Sequence, residues 1–307
     1  ARMVIKSAKT PLINPGSPKQ LAALLYDTLH LPTIRNQGRT TKKEVLDELF
    51  DLYPYPVITD VKDCRIKNHM MNTYVFGIED DVRIDGRIHP DTLLHGTATG
   101  RRSIHNPPLQ TIPKQASVGD NFNDIKTMFT VAPGYVFGHA DYSIIELWMA
   151  YLYSRDEQLY ADLTSGDYHT VAASAMFKIP AEQVTKAYRD NGKTFTYGIM
   201  YGREEFSIAL ALGWPKEEAR MYIDRWFGRY PDVVKWRKDV QQEAIDTGVL
   251  TTIFGRKRHF PLITPDTVER IKKQAVNDLP QSTAGDVTLS AMIRLEPMLE
   301  PLNTYIL

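Results

Sequence analysis

One cysteine, Cys64, is present among 307 residues. A lone thiol allows no intramolecular disulfide and no cysteine-rich zinc site, and it points to a reducing, intracellular setting. Long apolar runs are also missing. No segment reads as a bilayer span, and no signal peptide opens the chain. Net charge is absent too, because 37 Lys+Arg balance 37 Asp+Glu, so no overall basic field announces a polyanionic partner. No repeat period or low-complexity tract stands out. What remains is a chain with 43% hydrophobic content, enough for a substantial core in one multilobed unit or two domains. Charge has to be read locally. Residues 251–274 are basic, with Arg256, Lys257, Arg258, Arg270, Lys272 and Lys273 against Asp266 and Glu269. Alone, that segment reads as a solvated face.

Element signals are uneven along the chain. Ser17-Pro18-Lys19-Gln20 places Ser at a helix start and Pro at the first helical position, ahead of Leu21, Leu24 and Leu25. Thr41-Lys42-Lys43-Glu44 has the form of a capping box before Val45, Leu46, Leu49 and Phe50. Residues 84–88 read as a tight turn between short strands. Residues 97–113, TATGRRSIHNPPLQTIP, form a structured loop too rich in Gly, Pro and Asn for a regular element. The pattern is β over 129–140, with a turn at Pro133-Gly134, and helical over 145–153. Further helices are expected at 168–177, about 181–201, 217–227 and 232–247. A hairpin would join 251–254 to 258–260. A last helix runs from about Val268 past Asp286 towards Ile293, interrupted near Pro280. Helices inserted into a β element assembled from distant segments predict an α+β fold. The ends, Ala1-Arg2-Met3 and Tyr305-Ile306-Leu307, read as cuts through a longer protein.

Two stretches carry chemistry. In GYVFGHADYSIIELWMAYL, residues 134–152, a strand-like run ends on Asp141 before the pattern turns helical. A carboxylate there suits a hard cation such as Mg²⁺, and chemistry on phosphates asks for a second carboxylate nearby. In RDNGKTFTYGIMYG, residues 189–202, Arg189, Lys193, Tyr197 and Tyr201 recur every four residues, along one helix face. Periodicity alone favours a solvated basic turn leading into a buried aromatic face. The alternative is a ladder, with cations meeting a polyphosphate and rings meeting a sugar and a base. Arg would supply a bidentate fork and Lys a point charge. Gly192 and Gly198 lie inside this helix at roughly 1 kcal/mol each relative to Ala. Gly198, beside Tyr197, would let a flat partner approach closely.

Together these residues resemble DNA polymerase family A, the DNA polymerase I family. Asp141-Tyr142-Ser143-Ile144-Ile145-Glu146-Leu147 is similar to its first motif, a strand ending in Asp-Tyr-Ser followed by Ile-Glu-Leu. Arg189, Lys193, Tyr197, Tyr201 and Gly202 match its Arg-x3-Lys-x3-Phe/Tyr-x3-Tyr-Gly motif. The loop at 97–113, FGRKRHFP at 254–261, NDLPQSTA at 277–284 and SPKQLA near the start also fit, in order along nearly the whole chain. Tyr197 stands where many members have Phe; this resembles phage-type and some organellar members and implies tolerance of dideoxynucleotides. Three positions depart from the pattern: Ile144 for Gln, Trp148 for Arg and Pro108 for Asn. They put minor-groove or palm contacts in question, not the reaction type.

The resemblance implies a right-hand architecture: a thumb portion at 1–80, palm at 81–153, fingers at 154–274 and more palm at 275–307. It implies template-directed DNA polymerisation, in which a primer 3′-hydroxyl attacks the α-phosphate of a dNTP and pyrophosphate leaves. Two Mg²⁺ ions, with Mn²⁺ able to substitute, would flank the displacement. Asp141 would bridge them and the backbone carbonyl of Tyr142 would add a ligand. Lys193 would neutralise charge at the α-phosphate and protonate the leaving group. Arg189 would hold the outer phosphates, and His169, in Gly166-Asp167-Tyr168-His169, would touch them as well. Glu146 would be the steric gate under the sugar, excluding a 2′-hydroxyl; as a bare residue it reads as a surface helix acid. Tyr201 would stack at the templating position. Arg101 and Gln281 would read minor-groove acceptors common to all base pairs, and Gln110, Lys273 and Asn277 would make further DNA contacts.

One family element is missing. Its second metal ligand sits in a His-Asp pair, and no His-Asp pair occurs here. Neither Glu146 nor Asp286 is a natural substitute. The implied partners are primer-template DNA, dNTPs and a C-terminal polymerase fragment carrying the second Asp, without a membrane. The implied location is the cytoplasm of a bacterial or phage-infected cell, an organellar one being compatible. The competing reading is a catalytically inactive polymerase-like DNA-binding module.

Overall fold

The computed structural model describes residues 13–34, 38–113 and 125–306. The terminal residues Ala1-Arg2-Met3 and Leu307, and parts of the 1–80 segment, lie outside the described residues. The chain divides into two compact units, 1–92 with 104–137, and 93–103 with 138–307. The fold is α+β and rich in helix.

In the first unit, α1 (Pro18–Ala22) starts as its sequence dictates: Ser17 caps it through the N–H of Gln20, and Pro18 occupies the first helical position. The helix then widens into π-type turns over Ala23–Thr28. Helices α2 (Lys43–Leu52) and α3 (Pro56–Met70) follow. Leu21, Leu25, Val45, Leu46, Leu49, Ile58 and Val61 form one core. Here the Thr41 capping box does not form. The cap position is Lys42, whose N–H turns back to Thr40 Oγ1 at 3.4 Å, so α2 begins without a side-chain cap. After a second π-type stretch and α4 (Gly77–Asp80), a turn at residues 83–87 closes an isolated antiparallel bridge between Val82 and Ile88. Cys64 is a free, buried thiol. Short strands β1 (Asp91–Leu93) and β2 (Ser103–His105) lie where the chain passes from one unit to the other.

The expected strand over residues 129–140 does not form. This stretch is irregular, turns at Gly134, and leaves Val136 and Phe137 exposed. A strand draws its stability from ladder partners, and none among the described residues pairs with it.

The second unit is built around α5 (Ile145–Ser154), α6 (Glu157–Thr164), α7 (Tyr168–Phe177), α8 (Lys186–Met200), α9 (Glu205–Leu212), α10 (Lys216–Arg229), α11 (Pro231–Thr247) and α12 (Val268–Leu299). Its core includes Leu147, Tyr168, Phe195, Ile199, Trp226, Tyr230, Ile271 and Leu279. Side-chain caps set several starts: Asp156 for α6, Asp167 for α7 and Thr185 for α8. The last cap shortens the expected 181–201 helix, leaving a separate 3₁₀ turn at Ala181–Gln183. A hairpin is present but shifted from the expected 251–254 and 258–260: β3 (Val249–Thr251) pairs with β4 (Lys257–His259), Leu250 opposite Arg258, and residues 252–254 lie in the connection.

Helix α12 runs through Pro280 without the expected interruption. An internal Pro removes a hydrogen bond and costs about 3 kcal/mol. Burial of Ile271, Ala275, Val276, Leu279 and Ala284 on the same helix offsets that cost. Contacts to the rest of the unit add to it: Tyr153 O–H meets Thr283 Oγ1 at 2.6 Å, and Tyr153 stacks on Trp236. The basic 251–274 segment is largely neutralised. Arg256 pairs with Asp286 and Arg258 with Asp278, tying the hairpin to α12, while Lys272 pairs with Glu269.

Candidate active site

All but one of the site residues expected from sequence lie in the second unit, and six line one cleft of about 280 Å³: Asp141, Tyr142, His169, Arg189, Lys193 and Tyr197. Its walls are the loop before α5, the turn between α6 and α7, and one face of α8. Residues 189, 193 and 197 reach it together because four-residue steps keep them on that face. Gly192 and Gly198 point the other way. A Cβ at Gly192 would sit 3.0 Å from Ala173 Cβ on α7, and one at Gly198 would meet Arg203 and Ile208 at 3.5 Å. Gly192 therefore serves close helix packing, while Gly198 is buried and faces Arg203 and Ile208 at ordinary contact distance. Ile144, the apolar departure in the first motif, lines the cleft and holds the left-handed conformation, φ 50°, at the N-cap of α5. For a β-branched residue that strain is on the order of 1–3 kcal/mol; it turns the loop carrying Asp141–Ser143 into the helix.

Asp141 is exposed, and among the described residues it has no hydrogen bond or ion pair. Lys193 is likewise exposed and without an ion-pair partner among the described residues. Arg189 is held. Its Nε and Nη2 donate to Asp167 Oδ2 and Oδ1 at 2.7 and 3.1 Å. The guanidinium holds the Asp167 carboxyl down at about 2, and Asp167 in turn raises Arg189. Asp167 stays ionised above its unfolded range, and the pair's contribution to stability is lost only as pH falls from about 4 towards 2. His169 is buried, and among the described residues its Nδ1 has no hydrogen-bond partner. Burial, then the neighbouring Lys193 and Arg189, lowers its pKa, leaving the ring neutral at pH 7.

A second cluster adjoins the cleft. Tyr197 stacks on Tyr201 with ring centroids 6.2 Å apart. Tyr201 O–H donates to Glu146 Oε1 at 3.1 Å, and Arg101 Nη2 donates to the same oxygen at 2.9 Å. Glu146 is thus tied down, with its side chain only 12% exposed. Burial first, then Glu146, pushes the Tyr201 phenol up to about 12. Burial also raises Tyr197, with Glu146 and Asp141 adding to it.

The remaining candidates are placed separately. Gln281 Nε2 donates to Asn277 Oδ1 at 2.9 Å on α12. Lys273 Nζ pairs with Glu204 at 2.5 Å on the exposed surface, where such a pair is worth little. Gln110 belongs to the first unit, where its Oε1 accepts the N–H of Ile104 at 3.2 Å. Trp148, the second departure, packs edge-on against Tyr151 and Tyr160. Pro108, the third, precedes the 3₁₀ turn Leu109–Thr111 and accepts the N–H of Thr111. Sequence reasoning gave no role to Asp167, although the Gly-Asp-Tyr-His run held it as a helix cap. A second cavity, of about 350 Å³ and lined by Arg225, Trp226, Arg229 and Tyr230, contains none of the expected residues.

Among the described residues no three His, Cys, Asp or Glu side chains converge on a metal position. Asp141 offers one unpaired carboxylate. Asp167, Glu146 and Asp286 are each engaged by an arginine. The described residues therefore fit one ligand of a divalent-cation site, not a complete two-ion site. No helix among them is long and apolar enough to cross a membrane.

The helix-rich α+β unit thus gathers an acid, two cations and a tyrosine around one cleft, with a second tyrosine stacked beside it. In comparison with known families, residues 2–306 match the model of DNA polymerase family A, and the chain belongs to that family. It is 33% identical over 296 residues to DNA polymerase I of Pseudomonas aeruginosa, covering 94% of this chain and 32% of that protein. It is 32% identical over 303 residues to the thermostable DNA polymerase I of Thermus aquaticus, covering 96% of this chain and 36% of that one. The chain thus spans about a third of the length of these curated relatives. Among solved structures, the POL domain of Pol1 from M. smegmatis, in complex with DNA primer-template and dNTP, superposes with a TM-score of 0.83 at 32% identity. That match covers 95% of this chain and 52% of the other.

Proposed function

We propose that this chain forms the nucleotide-binding part of a template-directed DNA polymerase, joining a dNTP to a primer 3′-hydroxyl with release of pyrophosphate. The observation that carries the reading is the single cleft in which Asp141, Arg189, Lys193 and Tyr197 meet. Its support from relatives is family membership and the structural likeness to a domain whose complex holds primer-template and dNTP. The primer-template and dNTPs are the proposed partners. Residues 154–274 would be the fingers, 81–153 and 275–307 palm, and 1–80 part of the thumb.

In this reading Lys193 neutralises charge at the α-phosphate and gives a proton to the leaving group, while Arg189 and His169 meet the outer phosphates. Tyr197 lies against the sugar and Tyr201 stacks at the templating position. Arg101, Gln281, Asn277, Gln110 and Lys273 contact the DNA. Two Mg²⁺ ions, replaceable by Mn²⁺, would supply charge stabilisation at the displacement. Asp141 and the Tyr142 carbonyl would hold part of their coordination, and a further carboxylate, such as one on a C-terminal fragment, would complete it.

Equilibrium titration of dNTP into the protein–primer-template complex tests the site. Lys193→Ala should weaken dNTP binding about tenfold or more, the scale of a charge-assisted contact. Unchanged affinity would refute the cleft as a triphosphate site. Glu146 supplies a second test. Its side chain is fixed by Arg101 and Tyr201, so a steric gate is pre-set. Glu146→Ala should raise rNTP relative to dNTP incorporation roughly tenfold or more, while Glu146→Gln, which keeps the bulk, should not. Equal discrimination in all three proteins would count against the gate.

A further inference from the structure

We propose that Asp167 is a positioning residue for nucleotide binding: it grips Arg189 by one edge of the guanidinium and leaves the other donors for an incoming triphosphate. The inference rests on reading the cleft as a dNTP site.

The geometry is one-sided. Arg189 spends Nε and one N–H of Nη2 on Asp167. A guanidinium has five N–H donors, so both on Nη1 and the second on Nη2 remain. No other hydrogen bond from Arg189 is made among the described residues. The carboxylate is itself anchored. Thr170 Oγ1 donates to Oδ2 at 2.6 Å and the His169 N–H donates to Oδ1 at 3.2 Å, both from the first turn of α7. Asp167 is thus a fixed point on one helix, and Arg189 is a long side chain on another that the fixed point orders. Ordering a flexible cation before its ligand arrives removes that cost from binding. Asp167 and Arg189 line the same cleft as Asp141 and Lys193, so the ordered fork lies where the phosphates would be received. Lys193 has no such anchor among the described residues. The pair stays charged throughout the neutral range, so it acts as a permanent brace and not as a pH switch.

A rival arrangement has the opposite sign. If Asp167 merely competed with phosphate for Arg189, removing its charge would tighten nucleotide binding. Asp167→Asn separates the two, because Asn keeps the helix cap while losing the charge; Asp167→Ser is a second variant that also caps. Dissociation constants for a dNTP and for the matching dNMP would be measured on the protein–primer-template complex, with melting temperature as the check on folding. Both variants should bind dNTP about fivefold or more weakly, with dNMP binding unchanged, because Arg189 meets only the outer phosphates. In an Arg189→Ala background, Asp167→Asn should add nothing further. Unchanged or tighter dNTP binding, while Arg189→Ala alone weakens it, would overturn the positioning role. If Arg189→Ala and Lys193→Ala both leave dNTP binding unchanged, the dNTP reading of the cleft falls instead.

Discussion

Asp141→Ala should reduce nucleotide incorporation on the order of 10³-fold or more, with DNA binding retained. Among the described residues Asp141 is the cleft carboxylate that no arginine engages; Asp167 in the cleft and Glu146 beside it already answer to Arg189 and Arg101. A cation at this position would stabilise transition-state charge by several kcal/mol, and each 1.36 kcal/mol of barrier is a tenfold change in rate. Asp141 lies on an exposed loop, so its loss removes no packing. Asp141→Asn should fail similarly, since it keeps shape but loses charge. The measurement is single-turnover primer extension by the polymerase containing this chain, with DNA affinity measured in parallel. Incorporation within tenfold of the unaltered protein would remove Asp141 from the chemistry.

Asp162→Ala should destabilise the second unit by about 3–5 kcal/mol, the usual result of stripping one partner from a buried ion pair. Asp162 on α6 is 4% exposed and accepts four hydrogen bonds. Arg229 supplies two at 2.6 Å, Tyr230 O–H one at 2.6 Å and Gln158 one at 2.9 Å. Together they tie α6 to the α10–α11 junction. The Asp162 hydrogen bonds raise Arg229, and burial raises Tyr230 first of all. Without the carboxylate, the buried Tyr230 hydroxyl is left desolvated and the partly exposed Arg229 loses its anchor. Asp162 also lies five residues before the cap that carries Asp167 and His169 into the cleft, so this brace supports the site without touching it. Urea unfolding would read the change, and the melting temperature should fall by roughly 10 °C. A loss under about 1 kcal/mol would show that the cluster is not a structural keystone.

Much of the site was legible because it follows chain periodicity. Arg189, Lys193 and Tyr197 share a cleft, and Tyr201 stacks beside it, because a helix puts every fourth residue on one side. The start expected at residue 168 coincides with the Asp167 cap, whereas α6 behind the Asp156 cap was not anticipated and the Thr185 cap begins α8 later than the expected 181. What sequence concealed was pairing over distance. Asp167 and Arg189 are 22 residues apart, and Glu146 meets Arg101 and Tyr201 across 45 and 55 residues. No local pattern encodes those encounters. The β reading of 129–140 had the right side-chain types, but a strand exists only with a partner ladder. The break expected at Pro280 ignored how much apolar surface α12 buries on both sides of it. Thr41 looked like a cap, yet α2 starts one residue later, where Lys42 cannot serve.

Primer extension on a DNA template, by this chain alone and with a C-terminal segment bearing the His-Asp pair, tests the polymerase reading most directly. The expected result is addition of the template-matched dNTP, with an equal amount of pyrophosphate released, once the second carboxylate is supplied. Intact DNA binding with no extension in either case would contradict it and identify the chain as a polymerase-like DNA-binding module.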